Sequence, residues 1–293
     1  MKRKLVVSSL VVMLTVSQYV YAAMDYIYNA PESSLDVRYL YQWKILETAL
    51  EKTGSKYGPF RMIKSEVMSE RRQAKELAKA SAKITVMYQD TTPEREKSLI
   101  AIHIPVDKNL VGYRVFLIRK EEQDRFSKIH IPKDLRQFTY GLGVDWVDVQ
   151  ILQSNGFKVV TGSSYDGLFH MLLHKRFDVF SRGVFEILGE YNARHKAMPD
   201  LAIESNILLY YPLPMYFWFE KTRHGQLLAS RAEEGMWMMI RDGTYDRIFN
   251  EYYGDTIRKL KLKKRQIFKI KNPLLGPETP FKDKRLWFDY SND

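Results

Sequence analysis

Short apolar runs alternate with stretches of helical period along most of this 293-residue chain. In the first third, the pattern predicts strands at 24–29, 60–63 and 84–88 and helices at 39–50 and 69–83. Strands that alternate with helices in this way are typical of a parallel sheet covered by helices. The pattern therefore predicts an α/β fold.

The pattern changes near Leu110, after which residues 111–118 form a longer run rich in β-branched and aromatic side chains. The second series that follows predicts strands at 137–143, 158–160 and 177–180, helices at 146–155 and 165–175, an extended stretch at 205–219, and closing helices at 226–242 and 244–253. One lobe therefore interrupts another, and the two strand crossings near Leu110 and Pro212 form the predicted hinge.

This pattern divides the chain into lobes. We expect a first lobe made of residues 23–110 and 213–271, with a second lobe at 111–212 inserted into it. The proline-containing tail at 272–293 is expected to form an ordered strap over the surface, without chemistry of its own.

The first 22 residues predict an export signal. A basic start at residues 2–4 precedes an interrupted apolar stretch at 5–20, and residues 20–22 offer small side chains where a signal peptidase reads. The alternative is an uncleaved membrane anchor, but the stretch is short for a span of about 20 apolar residues. We expect cleavage near Ala22 and a periplasmic protein.

Composition excludes several kinds of site. The chain has no cysteine, which rules out a disulfide framework, a thiolate metal site and a cysteine nucleophile. Its formal charge of +11 is typical of nucleic-acid binding, but export and the scattered placement of Lys and Arg argue against that function. We expect no nucleic-acid partner.

Arg95 is the first candidate for ligand contact. It follows a predicted buried strand, in a turn that begins with Thr91, Thr92 and Pro93. Open α/β sheets bind ligands beyond the carboxyl ends of their strands, and a guanidinium forms a fork of donors that matches a carboxylate. The alternative is a solvated surface arginine paired with a neighbouring glutamate.

Other candidates rest on position. Tyr28 and Asn29 lie at the end of the first strand. Ser163 and Ser164 can present hydroxyls and a helix N-terminus to an anion, although they serve equally well as a helix N-cap.

Five segments carry a family resemblance: Thr92-Pro93-Glu94-Arg95, 134–143, 165–169, 175–179 and 242–248. In order and context they resemble the periplasmic solute-binding proteins of the polar amino-acid type, which are family 3-like. The resemblance covers nearly all of the chain after the signal. It implies a two-lobed type II periplasmic binding fold with two hinge crossings and a ligand trapped in the cleft. It also implies that Arg95 holds the ligand carboxylate.

Two departures from the family pattern bear on the ligand. Arg182 falls where the family places the carboxylate that binds the ligand amine, which implies a ligand without an α-amine or one whose amine is held elsewhere, for example by Glu186. The alternative for Arg182 is an ion pair with Glu186, one helical turn further on. Asp145 and Trp146 replace a small pair in the turn of the second lobe. Trp146 offers a stacking face for a planar group, or is a core residue on the first turn of a helix.

Catalytic signatures are weak. His170 and His174 have the spacing of zinc-binding helices but lack the glutamate that a metalloprotease needs. An acid/base pair of Glu186 with His103 stays open, although nothing in the sequence favours it. We expect no enzyme activity, no cofactor and no metal.

Together these observations predict a monomeric periplasmic protein that closes its cleft on a small anionic or zwitterionic solute. The solute would be amino-acid-like or a carboxylate, and the partner a membrane permease or a sensor domain. The alternatives are a periplasmic lyase or dehydratase on the same fold, and a structural protein with a degenerate cleft.

Overall fold

The computed structural model describes residues 22–31 and 39–292, so the predicted export signal lies outside the described residues except for Ala22. The strands are β1 (Met24–Tyr28), β2 (Phe60–Lys64), β3 (Val86–Asp90), β4 (Leu99–Ile102), β5 (Tyr113–Arg119), β6 (Thr139–Gly143), β7 (Lys158–Gly162), β8 (Val179–Gly183), β9 (Leu201–Ile203), β10 (Ile207–Tyr210), β11 (Met215–Glu220) and β12 (Gln266–Lys269). The helices are α1 (Leu40–Lys52), α2 (Gly54–Tyr57), α3 (Glu70–Ala78), α4 (Pro93–Ser98), α5 (Gln123–Phe126), α6 (Pro132–Leu135), α7 (Asp148–Ser154), α8 (Tyr165–Leu173), α9 (Val184–Arg194), α10 (Arg223–Arg241) and α11 (Thr244–Leu260).

The first lobe is built on two small sheets. Strands β1 and β2 pair in parallel, and β11 lies between β3 and β4 in antiparallel pairing. Thr85 joins the two sheets, because its N–H donates to the Ile27 carbonyl at 2.9 Å and its hydroxyl accepts from the Ile27 N–H at 2.8 Å. Helices α1 and α10 pack against each other over this lobe.

The second lobe is built on the larger sheet, which has the strand order β12-β10-β5-β8-β6-β7. Strand β9 also pairs with β5. Strands β6, β7 and β8 run parallel, as expected for strands linked by the helices α7 and α8. The β5 strand is entirely buried.

The two predicted crossings meet closely at the hinge. Strand β5 pairs with β10 in antiparallel fashion, and the Tyr211 N–H donates to the Gly112 carbonyl at 3.1 Å. Asp107, which is fully buried just before this point, accepts hydrogen bonds from the Asn109 and Val111 N–H groups at 3.1 and 2.9 Å. These bonds fix the backbone where the chain leaves the first lobe.

A third connection follows α11. Residues 213–271 were expected to stay in the first lobe, but β12 pairs in parallel with β10 in the larger sheet. The strap then crosses the hinge again: the Asn272 side-chain amide donates to the Pro212 carbonyl at 2.9 Å, and the Phe288 N–H donates to the Lys108 carbonyl at 2.7 Å. Residues after 265 therefore tie both lobes and the hinge together.

Several predicted elements differ from the observed ones. Helix α3 ends at Ala78 rather than at residue 83, because Ala80 and Ala82 adopt left-handed backbone conformations with φ of 49° and 59°. Strand β3 begins two residues later than predicted. Helix α9 was missed, although Val184 and Ile187 begin a run with helical spacing.

Replacing Gly112 tests the close approach of the two crossings. A Cβ atom at this position would lie 2.4 Å from the Tyr211 carbonyl oxygen and 2.7 Å from Asn109 Nδ2. We expect Gly112→Ala to lower the free energy of unfolding by about 1–3 kcal/mol, as other overpacking changes do. Gly54→Ala is the control, since a Cβ there meets nothing within 4 Å. Equal denaturation midpoints for the two variants would contradict this packing.

Asp107 should make stability depend on pH. Burial raises its pKa to about 7, so the folded protein keeps a proton that the unfolded chain releases between about pH 4 and about pH 7. The contribution of this group to stability therefore falls as pH rises through that window. The free energy of unfolding of Asp107→Asn, minus that of the wild type, should rise by up to about 1.4 kcal/mol per pH unit there. Parallel pH profiles of the two proteins would show that Asp107 does not titrate in this way.

Candidate functional site

A cavity of about 50 Å³ lies between the two lobes, close to the hinge. The first lobe contributes Tyr39, Glu70, Tyr88, Asp90 and Met215, the crossing segments contribute Val111 and Leu213, and the second lobe contributes Arg114, Trp146, Asp148, Arg182, Phe185 and Glu186. By this measure it has room for about three or four water-sized groups. The described conformation is thus a nearly closed cleft with aromatic and charged walls.

Arg182 is the centre of the second-lobe wall. It ends β8 and is 1% exposed, and its Nε and Nη2 donate to the two Glu190 carboxylate oxygens at 2.8 and 2.6 Å. Its Nη2 also donates to Glu186 at 2.8 Å. Burial alone would lower the pKa of Arg182, but Glu186 and Glu190 outweigh it and raise that pKa.

Two aromatic residues complete the surroundings of Arg182. The Trp146 ring centroid lies 4.7 Å from its guanidinium carbon, a cation–π distance. The Tyr165 hydroxyl donates to Glu190 at 2.7 Å, which links α8 to α9. Elements β8, α8 and α9 therefore share one buried polar network.

Arg114 forms a second buried ion pair beside the first. Its Nη2 bonds to Asp148, and Asp148 also accepts from the Tyr211 hydroxyl. Its Nη1 donates to the Val111 carbonyl at 3.0 Å and lies 4.0 Å from Glu186. Strand β5, helix α7 and the second crossing are joined in this way.

The first lobe supplies an acidic wall. Asp90, at the end of β3, lines the cavity and pairs with Arg95 behind it. Burial lowers the pKa of Arg95, and the charge of Glu70 opposes that effect. Every guanidinium at this described cleft thus already faces a protein carboxylate.

Arg95 is not in a turn, as predicted, but in helix α4. Thr92 is the N-cap, its hydroxyl oxygen accepts from the Arg95 N–H at 3.2 Å, and Pro93 occupies the first turn. Thr-Pro at this point therefore begins a helix, as both residues favour. The Arg95 side chain is 11% exposed and does not line the described cavity. Its predicted contact with a ligand remains a prediction.

The other first-lobe candidates have mostly structural contacts. Thr91 is buried and donates to Glu96 at 2.8 Å. Tyr28 packs on Trp43 with ring centroids 4.6 Å apart. Asn29 accepts from the Met68 N–H at 2.9 Å and lines a small void beside the cavity.

The structure brings the second-lobe candidates together. Asp145, Trp146, Ser163 and Ser164 line one groove between the lobes, and Arg182 and Glu186 line the cavity next to it. Ser164 also caps α8, since its hydroxyl oxygen accepts from the Gly167 N–H at 3.1 Å.

Sequence reasoning missed Arg114, Asp148 and Glu190. Arg114 interrupts an otherwise largely apolar strand, which is a readable signal of a buried charge that needs a partner. Glu190 was missed together with helix α9.

The structure does not bring Glu186 and His103 together as an acid/base pair. His103 Nε2 lies 3.1 Å from Glu96 Oε2, whereas Glu186 bonds to Arg182. Within the described residues there is no cluster of His, Asp and Glu able to hold a metal ion, nor a helix long and apolar enough to span a membrane.

No family model and no curated protein matches the chain, but many solved structures do. An ancestral arginine-binding protein bound to glutamine is 16% identical, with 80% of this chain and 99% of that chain covered and a TM-score of 0.58. A histidine kinase sensor domain with similarity to periplasmic binding proteins is 14% identical, with 80% and 97% covered and a TM-score of 0.56. An ancestral amino-acid-binding protein, a precursor of cyclohexadienyl dehydratase, is 14% identical, with 79% and 95% covered and a TM-score of 0.54.

These similarities show the fold. The chain has the two-lobed type II fold of periplasmic binding proteins, as the sequence resemblance predicted. The structures that it resembles include an arginine-binding protein and an amino-acid-binding protein.

Arg182→Met should test the buried network. Removing the guanidinium leaves the Glu186 and Glu190 carboxylates buried without it, so we expect the free energy of unfolding to fall by about 3–5 kcal/mol. The control is Arg61→Met, since the Arg61–Asp25 pair is exposed and its loss should change stability little. Chemical denaturation of both variants makes the measurement. Equal stability of the two variants would contradict the role assigned to Arg182.

Proposed function

We propose that the protein binds a small zwitterionic, amino-acid-like solute in the cleft between its lobes. The observation that carries this proposal is the cavity whose charged side chains come from both lobes: Asp90 from the first, and Arg114 and Arg182 from the second. A solute that contacts both walls favours the closed state, because it gains those contacts only when the lobes meet.

The charge balance supports a zwitterion over a purely anionic solute. Arg95, Arg114 and Arg182 are already compensated by protein carboxylates. An added anion would therefore bring an uncompensated charge into a nearly closed site, which is costly. A zwitterion brings its own cation beside its carboxylate, so it leaves the charge balance of the cavity unchanged.

We further propose that the protein acts in the periplasm, after removal of residues 1–22, and presents the closed form to a membrane permease or a sensor domain. The basic and apolar start of the chain supports export. The similarity to amino-acid-binding proteins and to a sensor domain supports both kinds of partner.

Turnover is the second candidate, since one similar structure is a precursor of a dehydratase. The two functions differ in what happens to the solute. A binding protein returns it unchanged, whereas a lyase or dehydratase releases a product that mass spectrometry of the incubated solute would detect.

Thermal unfolding of the exported protein with a panel of amino acids, simple carboxylates and sugars tests the proposal. An amino acid at about 100 times its dissociation constant should add about 2.7 kcal/mol to the free energy of unfolding. Arg114→Lys should reduce this gain, because Arg114 lines the cavity and an ammonium cannot reproduce the donor geometry of its guanidinium. If no amino acid raises the stability of the protein, the proposal fails and the alternative of a structural protein with a degenerate cleft is favoured.

The matched control is Arg119→Lys. Arg119 lies on the same strand and is 4% exposed, but it bonds to the Leu172 and Phe177 carbonyls, away from the cavity lining. We expect this variant to lose stability and keep its amino-acid response. Loss of the response in both variants would mean that Arg114 has no specific part in binding.

A further inference from the structure

A second, larger space adjoins the cavity. A groove of about 380 Å³ lies between the lobes, and Glu70 and Trp146 line both the groove and the cavity. Because the cavity itself holds only a few atoms, any solute larger than a compact head group has to extend into the groove. The groove lining therefore decides which side chain is accepted.

The groove is acidic. Carboxylates of Glu70, Asp145 and Asp166 line it from the two lobes, and none of its described lining residues is a lysine or arginine. This contrasts with the net charge of +11 of the chain. Asp166 forms an ion pair with Arg194 at 2.5 Å, and the charge of Glu70 interacts electrostatically with Arg95. Asp145 has neither a hydrogen bond nor an ion pair to any described residue.

The cavity, unlike the acidic groove, has a buried cationic donor in its lining. Arg114 is 2% exposed and lines the cavity, and its Nε–H has no hydrogen-bond partner among the described residues. A buried donor without an acceptor is unfavourable, so this N–H of a cavity-lining residue is a candidate donor to a ligand carboxylate. The donor therefore lines the cavity and the acids line the adjoining groove, and Trp146 lines both.

We propose that the cleft selects amino acids with a cationic side chain, the carboxylate directed to Arg114 and the guanidinium or ammonium lying in the groove against Asp145. This inference rests on the proposed function and narrows its substrate class. The open carboxylate of Asp145 supplies the charge complement, and Trp146 favours a cation near its ring.

Isothermal titration of the exported protein with L-arginine, L-lysine, L-glutamine and L-glutamate tests this selection. We expect arginine and lysine to bind at least about tenfold more tightly than glutamine, and glutamate to bind most weakly. Asp145→Asn keeps the shape and removes the charge, so it should weaken arginine binding about fivefold and weaken glutamine binding clearly less. Asp124→Asn is the control, since Asp124 is an exposed acid of the same lobe outside the groove lining.

The titrations distinguish a failure of side-chain selection from a failure of amino-acid binding. If glutamine or glutamate binds as tightly as arginine, or if Asp145→Asn leaves arginine binding unchanged, the selection is wrong while amino-acid binding stands. If none of the four amino acids binds, the proposed function fails and the selection fails with it.

Discussion

The pairing of Arg182 with Glu186 and Glu190 is the interaction on which the cleft depends. A guanidinium that is 1% exposed has lost its hydration, and only neighbouring carboxylates can make that burial tolerable. Because the three residues belong to β8 and α9, and Tyr165 extends the network to α8, one set of hydrogen bonds positions much of the second-lobe wall. Trp146, which lines both the cavity and the groove, lies against the same guanidinium.

The hinge imposes the second constraint. The two crossings meet where the backbone of Tyr211 approaches Gly112, and β12 with the strap adds a further link from α11 to the larger sheet and back. The bond from the Phe288 N–H to the Lys108 carbonyl holds the strap beside the first crossing. If these contacts persist when the cleft opens, the strap limits how far the lobes can separate.

Much of the fold was predictable because the spacing of apolar residues within short segments distinguishes strands from helices. Strands of alternating or apolar pattern and the two long closing helices follow from spacing alone, as in β1 and α10. The position of β12 was not predictable, since whether a strand joins one sheet or another depends on contacts distant in sequence. Helix α9 was not predicted, although its apolar residues Val184 and Ile187 have helical spacing.

The candidate site was predictable only in part. The family resemblance pointed to Arg182, Glu186 and Trp146 as cleft residues, but neither it nor the residue pattern identified Glu190 and Asp148, which pair with the buried arginines. Arg114 and Asp148 lie far apart in the sequence, and no spacing rule reveals their pairing, whereas Arg182 and Glu186 have the spacing of one helical turn. Arg95 does follow a buried strand, as predicted. The direction of its side chain toward Asp90 depends on the helix in which it lies and could not be predicted from the strand pattern.

Cleft closure is measured most directly by the distance between the lobes. The chain has no cysteine, so spin labels can be attached at Glu66→Cys and Thr161→Cys, each next to a groove residue of a different lobe. Double electron–electron resonance with saturating L-arginine should show a shorter and narrower distance distribution than the unliganded protein. An identical distribution with and without the amino acid, at a concentration that saturates binding, would contradict closure on the ligand.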